Sequence, residues 1–161
     1  MPISVASPDS SFRVTRDLTA ALVVVVRTTL VLEAHRPGEI SIVLARDSEL
    51  RELNRRWRGI DRATDILSFP YADARGRIDG DLILSLDRLV AQARRFRVSV
   101  GDELVRLVVH GTLHLCGLDH HRVAERAHMR AREAAARRAC AGRVAALDRA
   151  IGGQLTTPRN A

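Results

Sequence analysis

The chain has 161 residues, a length that suits one domain with a substantial apolar core. Its formal charge is +7, its pI is about 11.1 and all 26 basic residues are arginines, so we expect a polyanionic partner. Two cysteines exclude a disulfide-built domain, and the apolar run at residues 18–32, interrupted by Arg27, is too short for a membrane span. Since no cleavable leader is recognisable, we expect a cytoplasmic protein without a membrane partner.

Hydrophobic periodicity predicts strands and helices without an internal repeat or an interdomain linker. Asp17 and Asp102 are predicted to cap their helices, because an aspartate side chain can accept a backbone N–H. The four valines at 23–26 would also suit a strand. In chain order we predict a strand and turn within 2–12, a helix at 17–34, a break at 36–38, a strand at 40–45, a helix at 47–57, a loop at 59–63, a strand at 65–69 closed by Pro70, a turn at 72–79, a strand at 81–85, a helix at 86–96, a buried helix from 102 through 115 and a long helix at 121–149.

Three histidines in the segment HGTLHLCGLDH form the most informative motif. His110 and His114 lie one helical turn apart, so their imidazoles leave the same face of a helix. Gly117 then allows the chain to leave the helix and return a third imidazole, that of His120. Three neutral imidazoles that converge on one point are the ligands of a catalytic Zn²⁺, which keeps its fourth position for water.

The residue after the first histidine argues against a peptidase. The same spacing occurs in H-E-x-x-H-x-x-G-x-x-H proteases, where the glutamate is the general base, whereas this chain has Gly111 there. Asp119 has two interpretations that the sequence leaves open. It either orients an imidazole or the water, or it is simply the aspartate of a turn.

The segment after His121 is rich in arginine. It forms either a solvated helix face with ion pairs between residues on neighbouring turns or an RNA-contacting surface, and the sequence does not decide between these two.

Three sequence blocks resemble the YbeY family, the bacterial zinc-dependent endoribonucleases. HGTLHLCGLDH resembles the metal signature of that family. LNRRWRGIDRATDILSFPY, at residues 53–71, and DGDLILS, at residues 79–85, are similar to its two other blocks in the same order. The resemblance covers residues 39 to 120.

The resemblance implies one Zn²⁺ per chain, bound by His110, His114 and His120. It also implies that Arg58 and the ligand His110 are catalytic. An arginine beside the metal would stabilise the extra negative charge of a phosphodiester in its transition state. Four more residues match motif positions and either contact the substrate or the metal ligands, or make caps, turn bonds and strand-end contacts. They are Asn54, Thr64, Asp65 and Ser68.

From the resemblance we expect a single-strand-specific endoribonuclease that acts in 16S rRNA 3′-end maturation, ribosome biogenesis and RNA quality control. Its partners would be precursor ribosomal RNA and the small ribosomal subunit or its proteins, and not DNA. Two rivals stay open. One is another metal-dependent hydrolase. The other is a non-catalytic ribosome-assembly factor with a structural zinc, for which Cys116 would be the fourth ligand.

The expected fold is α+β. We predict a single domain at residues 1–151, in which a small mixed sheet of four strands packs against about five helices and the metal lies in a cleft. Residues 152–161 are predicted to form a disordered tail.

Overall fold

A computed structural model describes residues 2–71 and 76–155. Over these residues the chain forms four strands, six α-helices and one 3₁₀ turn, so the predicted α+β class with a four-stranded mixed sheet is confirmed. The elements are β1 (Ile3–Ala6), α1 (Arg16–Leu32), β2 (Arg36–Ala45), α2 (Asp47–Arg58), β3 (Ile66–Tyr71), β4 (Arg77–Ser85), α3 (Leu86–Phe96), α4 (Val100–Leu115), α5 (Val123–Cys140), the 3₁₀ turn (Ala141–Arg143) and α6 (Val144–Ile151).

The sheet has the strand order β1-β2-β4-β3. The β1–β2 and β2–β4 pairs are parallel, whereas β3 runs antiparallel to β4 at the edge of the sheet. Pro70 lies inside β3, opposite Gly80, so the predicted strand end at Phe69 was wrong. An edge strand tolerates proline because the missing N–H would otherwise face away from the sheet.

Two other strands begin earlier than the sequence predicted. Strand β2 contains the Pro37-Gly38 break, which it absorbs as an irregularity in the β2–β4 register between Pro37 and Ile40. Strand β4 begins at Arg77, so the last part of the predicted turn at 72–79 is strand, and residues 72–75 lie outside the described residues. The start of β4 was not predicted because polar residues, such as Asp79 and Asp81, occupy alternate positions of this half-buried strand.

The sheet is covered by helices on both faces. Helices α1 and α4 pack on one face, where Leu22 and Val108 join Ile42 and Leu82 in the main apolar core. The valine run belongs to α1, because burial against this core outweighs the β-propensity of its residues. Helix α2 covers part of the other face through Leu50. The contact of Leu50 with the sheet fixes the position of α2 and therefore of Arg58 at its C-terminal end.

The predicted caps of two helices were wrong by a few residues. The hydroxyl of Thr15 accepts from the N–H of Leu18 at 3.1 Å and caps α1. The hydroxyl of Ser99 likewise caps α4. Asp17 and Asp102 lie in the first turns, where their negative charge stabilises the positive end of the helix dipole without capping it.

The predicted helix at 121–149 is two helices. It begins at Val123, breaks at the 3₁₀ turn and resumes as α6, whose Leu147 and Ile151 are buried in the core. The N–H of Gly101 at the start of α4 donates to Asp148 at 2.6 Å. A straight helix would carry these apolar side chains past the core, so burial favours the break.

The end of the described chain packs on the domain. The side chain of Gln154 accepts from the N–H of Arg13 and donates to its carbonyl. Residues 156–161 of the predicted tail lie outside the described residues, and the domain limit at 151 stays a prediction. Across the residues that are described, each helix is too short or too polar to cross a membrane.

Candidate metal centre

Three imidazoles converge at the C-terminal end of α4. His110 and His114 lie on α4, and His120 lies in the loop that follows it. Their potential ligand atoms all lie within 4.8 Å of one another. The Nε2 atoms of His110 and His114 are 3.0 Å apart. The structure thus brings together the three histidines that the sequence singled out.

A tight turn returns the third histidine towards the helix. Gly117 has a φ of 92°, in the left-handed region that glycine adopts without strain. Its N–H donates to the carbonyl of His114 at 2.9 Å, and the N–H of Leu118 donates to the carbonyl of Leu113 at 3.1 Å. These bonds satisfy carbonyls at the helix end and reverse the chain. As a result, the ring centroids of His114 and His120 lie 5.0 Å apart.

Glu133 on α5 orients the first imidazole. Its carboxylate pairs with Nδ1 of His110. Burial alone would raise the pKa of Glu133, but the hydrogen bond from His110 and the charges of His110, Arg106 and Arg137 lower it overall. Glu133 is therefore ionised at neutral pH and accepts the proton of Nδ1. Nε2 of His110 keeps its lone pair and faces the other two histidines.

The second imidazole is uncharged at neutral pH. Burial, together with the neighbouring imidazoles of His110 and His120, lowers the pKa of His114 to about 4. A metal ion binds only the neutral ring, so no proton has to be displaced from His114 at neutral pH.

A cleft of about 560 Å³ opens over the histidines, and Arg58 lies on its wall. Arg58 is the last residue of α2, which ends at Gly59 in the left-handed conformation (φ 67°). Within the described residues, its guanidinium has no hydrogen-bond or ion-pair partner. An arginine without an internal partner is available to a negatively charged ligand in the cleft.

Asn54 supports this wall without lining it. Its side chain is buried, 4% exposed, and Nδ2 donates to the carbonyl of Arg62 at 2.9 Å. The bond ties α2 to the loop that leads from Arg58 to β3. Its Oδ1 is buried without a hydrogen-bond partner in the described structure. Of the two interpretations of Asn54, the structure favours the structural one, because the side chain does not reach the cleft.

Thr64, Asp65 and Ser68 do line the cleft, but each also makes an internal bond. The carboxylate of Asp65 accepts from the N–H of Ile66 at 2.8 Å and from Gln92 at 3.2 Å. Thr64 donates weakly to Asp65 at 3.5 Å, and Ser68 donates to a carbonyl of α4 at 3.4 Å. The hydrogen bonds donated by the two hydroxyls are long and weak, so the hydroxyls can turn towards a ligand. The Asp65 carboxylate, in contrast, already accepts two internal hydrogen bonds.

Of the two interpretations of Asp119, the structure favours the aspartate of a turn. Its Oδ1 accepts from the N–H of His120 at 2.7 Å, as expected of an aspartate in a turn. The same oxygen lies 3.2 Å from Nε2 of His121 and 3.9 Å from Nδ1 of His120. The hydrogen bond thus fixes the backbone of the third histidine, while its ring is beyond hydrogen-bond distance.

Gly111 marks a close approach between α4 and the sheet. A Cβ at this position would lie 2.5 Å from Cδ1 of Ile66 and 2.9 Å from Cδ2 of Leu82. A long acidic side chain has no room there without moving the helix. The packing of α4 against the sheet therefore leaves no room at position 111 for the glutamate that serves as general base in the protease motif.

The donors present fit a zinc ion that keeps a position open. Three imidazoles form the group, and the one nearby thiol, that of Cys116, is not part of it. Cys116 packs against the main apolar core, and burial, with a smaller effect of Glu33, raises the pKa of its thiol to about 12. Since the donor group contains no cysteine, no sulfur ligand closes the site within the described residues.

Two residues at the site, Glu133 and His121, were not predicted from the sequence. Glu133 lies one turn after the buried Met129 on α5, and an acidic residue beside a buried helix face is a signal that could have identified it. His121 lines the cleft directly after the third histidine. Its ring stacks on His120, with centroids 5.6 Å apart. Nothing in the spacing of the motif distinguishes His121 from a surface residue.

Comparison with known proteins gives one consistent family. The family model described as Endoribonuclease YbeY matches residues 6–140. An Endoribonuclease YbeY from Anaeromyxobacter sp. (strain Fw109-5) is 48% identical over 104 residues, which are 63% of this chain and 54% of the relative. Another, from Clostridium perfringens, is 36% identical over 154 residues, which are 81% of this chain and 92% of the relative.

The fold has a solved counterpart. The solution structure of a Thermotoga maritima protein superposes with a TM-score of 0.61 at 22% identity, over 99% of both chains. This likeness supports the fold alone. The match to the Anaeromyxobacter protein spans little more than half of that relative's length, while the family model covers most of this chain. On the family model and the Clostridium relative together, this chain belongs to the YbeY family.

Proposed function

We propose that this protein is a zinc-dependent endoribonuclease that cleaves single-stranded RNA. The observation that carries the proposal is the convergence of three imidazoles, with ligand atoms within 4.8 Å, in a cleft that also contains Arg58. Metal-ligand chemistry and a free guanidinium next to each other suit a phosphodiester substrate. The name Endoribonuclease YbeY, carried by the relatives, supports RNA as that substrate.

His110, His114 and His120 would hold one Zn²⁺ per chain. When bound, the ion would supply Lewis-acid activation of water and of a phosphoryl oxygen. Arg58, which lines the same cleft, binds the scissile phosphate and stabilises the negative charge that grows in the pentacoordinate transition state. Glu133 keeps the proton on Nδ1 of His110, which leaves Nε2 as the ligand atom.

The biological setting is part of the same proposal. We propose that the enzyme acts in 16S rRNA 3′-end maturation, ribosome biogenesis and RNA quality control in the cytoplasm, with precursor ribosomal RNA and the small ribosomal subunit or its proteins as partners. The formal charge of +7 supports a nucleic-acid partner. The ribosomal substrate is the one that the resemblance of the three sequence blocks to the family implies.

The two rival functions are less well supported. A peptidase of the H-E-x-x-H type would need a glutamate at position 111, where packing against Ile66 and Leu82 leaves no room for one. An assembly factor with a structural zinc would need a fourth protein ligand. Cys116 is the candidate that the sequence offered, and it lies outside the donor group of the described residues.

The proposal is tested by cleavage of a labelled 3′ precursor of 16S rRNA. Wild type is compared with His114→Ala, which removes a ligand, and with Arg58→Ala. The matched control is Arg56→Ala, since Arg56 is also an exposed arginine on α2 but does not line the cleft. Zinc content and circular dichroism are measured for each protein.

We expect cleavage to be lost in His114→Ala together with zinc. Arg58→Ala should lose at least about a hundredfold in rate while it keeps zinc and fold, as expected for loss of a charge-stabilising group. Arg56→Ala should cleave like wild type. Equal cleavage by all four proteins would show a contaminating nuclease, and the assembly-factor interpretation would then replace this one.

A further inference from the structure

The structure separates the arginines of α5 into different groups. Arg132 donates to Glu33 at 2.7 Å and to the carbonyl of Leu32, so it ties α5 to the end of α1. Arg137 lies 3.9 Å from Asp102 at the start of α4. These two arginines serve the packing of the helices. Arg126 and Arg130 are exposed and have no carboxylate partner in the described part of the chain.

The position of Glu133 shows which side of α5 faces the metal centre. Glu133 contacts His110, so the helix surface around Glu133 faces the histidines. At 100° per residue, Arg126 and Arg130 are rotated from Glu133 by only about 20° and 60°, and they lie about 10 Å and 5 Å closer to the start of the helix. Both arginines therefore lie on the same side of α5 as Glu133, towards the start of the helix.

A direct contact places Arg126 at the edge of the cleft. Nη1 of Arg126 donates to the carbonyl of His121 at 3.3 Å, and His121 lines the cleft. The nearby acids do not neutralise the arginines. Glu133 is engaged by His110, and Glu125, which accepts from the N–H of Arg122, lies about 80° away from Glu133 on the other side.

Arg58 lines the cleft on the side of α2. Arg126 lies at the edge of the cleft, where it contacts His121, and Arg130 lies one helical turn further along α5. We propose that Arg126 and Arg130 form a second phosphate-binding surface, which holds the backbone of single-stranded RNA as the strand leaves the metal cleft. This inference rests on the proposed endoribonuclease function.

Arginine is suited to this role. Its planar guanidinium forms two parallel charge-assisted hydrogen bonds with phosphate oxygens. Contacts of this kind release counterions from the strand, so the logarithm of the binding constant falls with the logarithm of the salt concentration. Each contact with a single strand contributes a slope of about 0.7. A two-arginine surface therefore predicts a measurable part of the salt dependence.

The test is binding of a short fluorescent single-stranded RNA to the zinc-loaded protein, followed by anisotropy from about 50 to 200 mM salt. Gel electrophoresis checks that the RNA stays intact. Wild type is compared with Arg126→Ala/Arg130→Ala and with Arg130→Ala alone. The matched control, Arg138→Ala/Arg149→Ala, removes the same charge from exposed arginines; Arg138 lies about 140° around α5 from Glu133, and Arg149 is on α6.

We expect the double variant to bind about tenfold more weakly at 0.1 M salt and its salt slope to fall by about 1.4. The salt slope of Arg130→Ala should fall by about half as much, about 0.7, and the slope of the control should equal that of wild type. If the double variant and the control weaken binding equally, net charge explains the effect and the surface is wrong.

Cleavage by wild type in the same buffer separates this inference from the proposed function. If wild type cleaves RNA while Arg126→Ala/Arg130→Ala binds as tightly as wild type, the α5 surface is refuted and the endoribonuclease stands. If wild type neither binds nor cleaves the RNA, both proposals fail.

Discussion

Glu133 on α5 and His110 on α4 form a carboxylate–imidazole pair between residues 23 positions apart in the chain. The pair makes the orientation of a metal ligand depend on a helix that carries no ligand itself. Because α5 also buries Met129 and Cys140 in the core, its packing and the geometry of the metal centre are coupled. Substitutions that move α5 should therefore alter the orientation of His110 and with it the affinity for the metal.

The Glu133→Gln variant tests this coupling. An amide is a weaker acceptor than a carboxylate and makes Nε2 of His110 a less basic ligand, so we expect zinc affinity to fall by about 10- to 100-fold. Competition with a chromophoric chelator measures the affinity. Glu39→Gln, a change of an exposed carboxylate on β2, should leave it unchanged. Equal affinities in wild type and Glu133→Gln would show that the pair does not support the ligand.

Two substitutions at Gly111 test the packing between α4 and the sheet. Gly111→Ala should change the free energy of unfolding by no more than about 1 kcal/mol, because the methyl meets the flexible ends of Ile66 and Leu82 and the hydroxyl of Ser68, and because alanine favours the helix. Gly111→Glu should cost more than about 3 kcal/mol, since it overpacks this site and buries a carboxylate. Urea unfolding of the zinc-free proteins gives both values. A stable Gly111→Glu protein would mean that α4 can move away from the sheet.

Asn54→Ala tests how the arginine wall is supported. Loss of the hydrogen bond to the carbonyl of Arg62 should lower the free energy of unfolding by about 1 kcal/mol. We also expect about tenfold slower RNA cleavage, because a looser loop misplaces Arg58. Zinc content should not change. If cleavage stays at the wild-type rate while stability falls, Asn54 stabilises the fold without positioning Arg58.

The Asp9 carboxylate gives a prediction about pH. Hydrogen bonds from Ser11 and then Arg46 lower the pKa of Asp9 from 3.8 to about 2 in the folded protein. A lowered folded-state pKa stabilises the protein above the unfolded value, and this contribution is lost as the pH falls from about 4 to 2. Asp9→Asn should therefore be less stable than wild type at pH 7. The difference in urea midpoints should close by pH 2, and a constant difference would contradict the assigned pKa.

The histidine motif was predictable because it is local. The spacing of His110 and His114 needs only a helix, and Gly117 identifies the turn that returns His120. Helix α3 was predicted with its observed bounds for a similar reason, since its apolar residues recur with the period of a helix and its arginines fall on the solvent side.

Contacts between distant segments were not predictable in this way. The position of Glu133 beside a buried helix face is unusual for an acidic residue, but its partner cannot be read from the sequence. The contacts of Glu133 with His110 and of Arg126 with the carbonyl of His121 depend on the tertiary packing of α5. The break between α5 and α6 has the same origin. It is set by Asp148 bonding to the start of α4, a tertiary contact that overrides the helical pattern on either side.

Pro70 has a consequence for how the molecules behave in concentrated solution. Strand β3 is an edge, and edge strands tend to pair with edges of other molecules through their free N–H and carbonyl groups. Proline withholds the donor at the position where β3 borders the cleft. We therefore expect pairing of β3 with the strand edge of another molecule to be interrupted at Pro70.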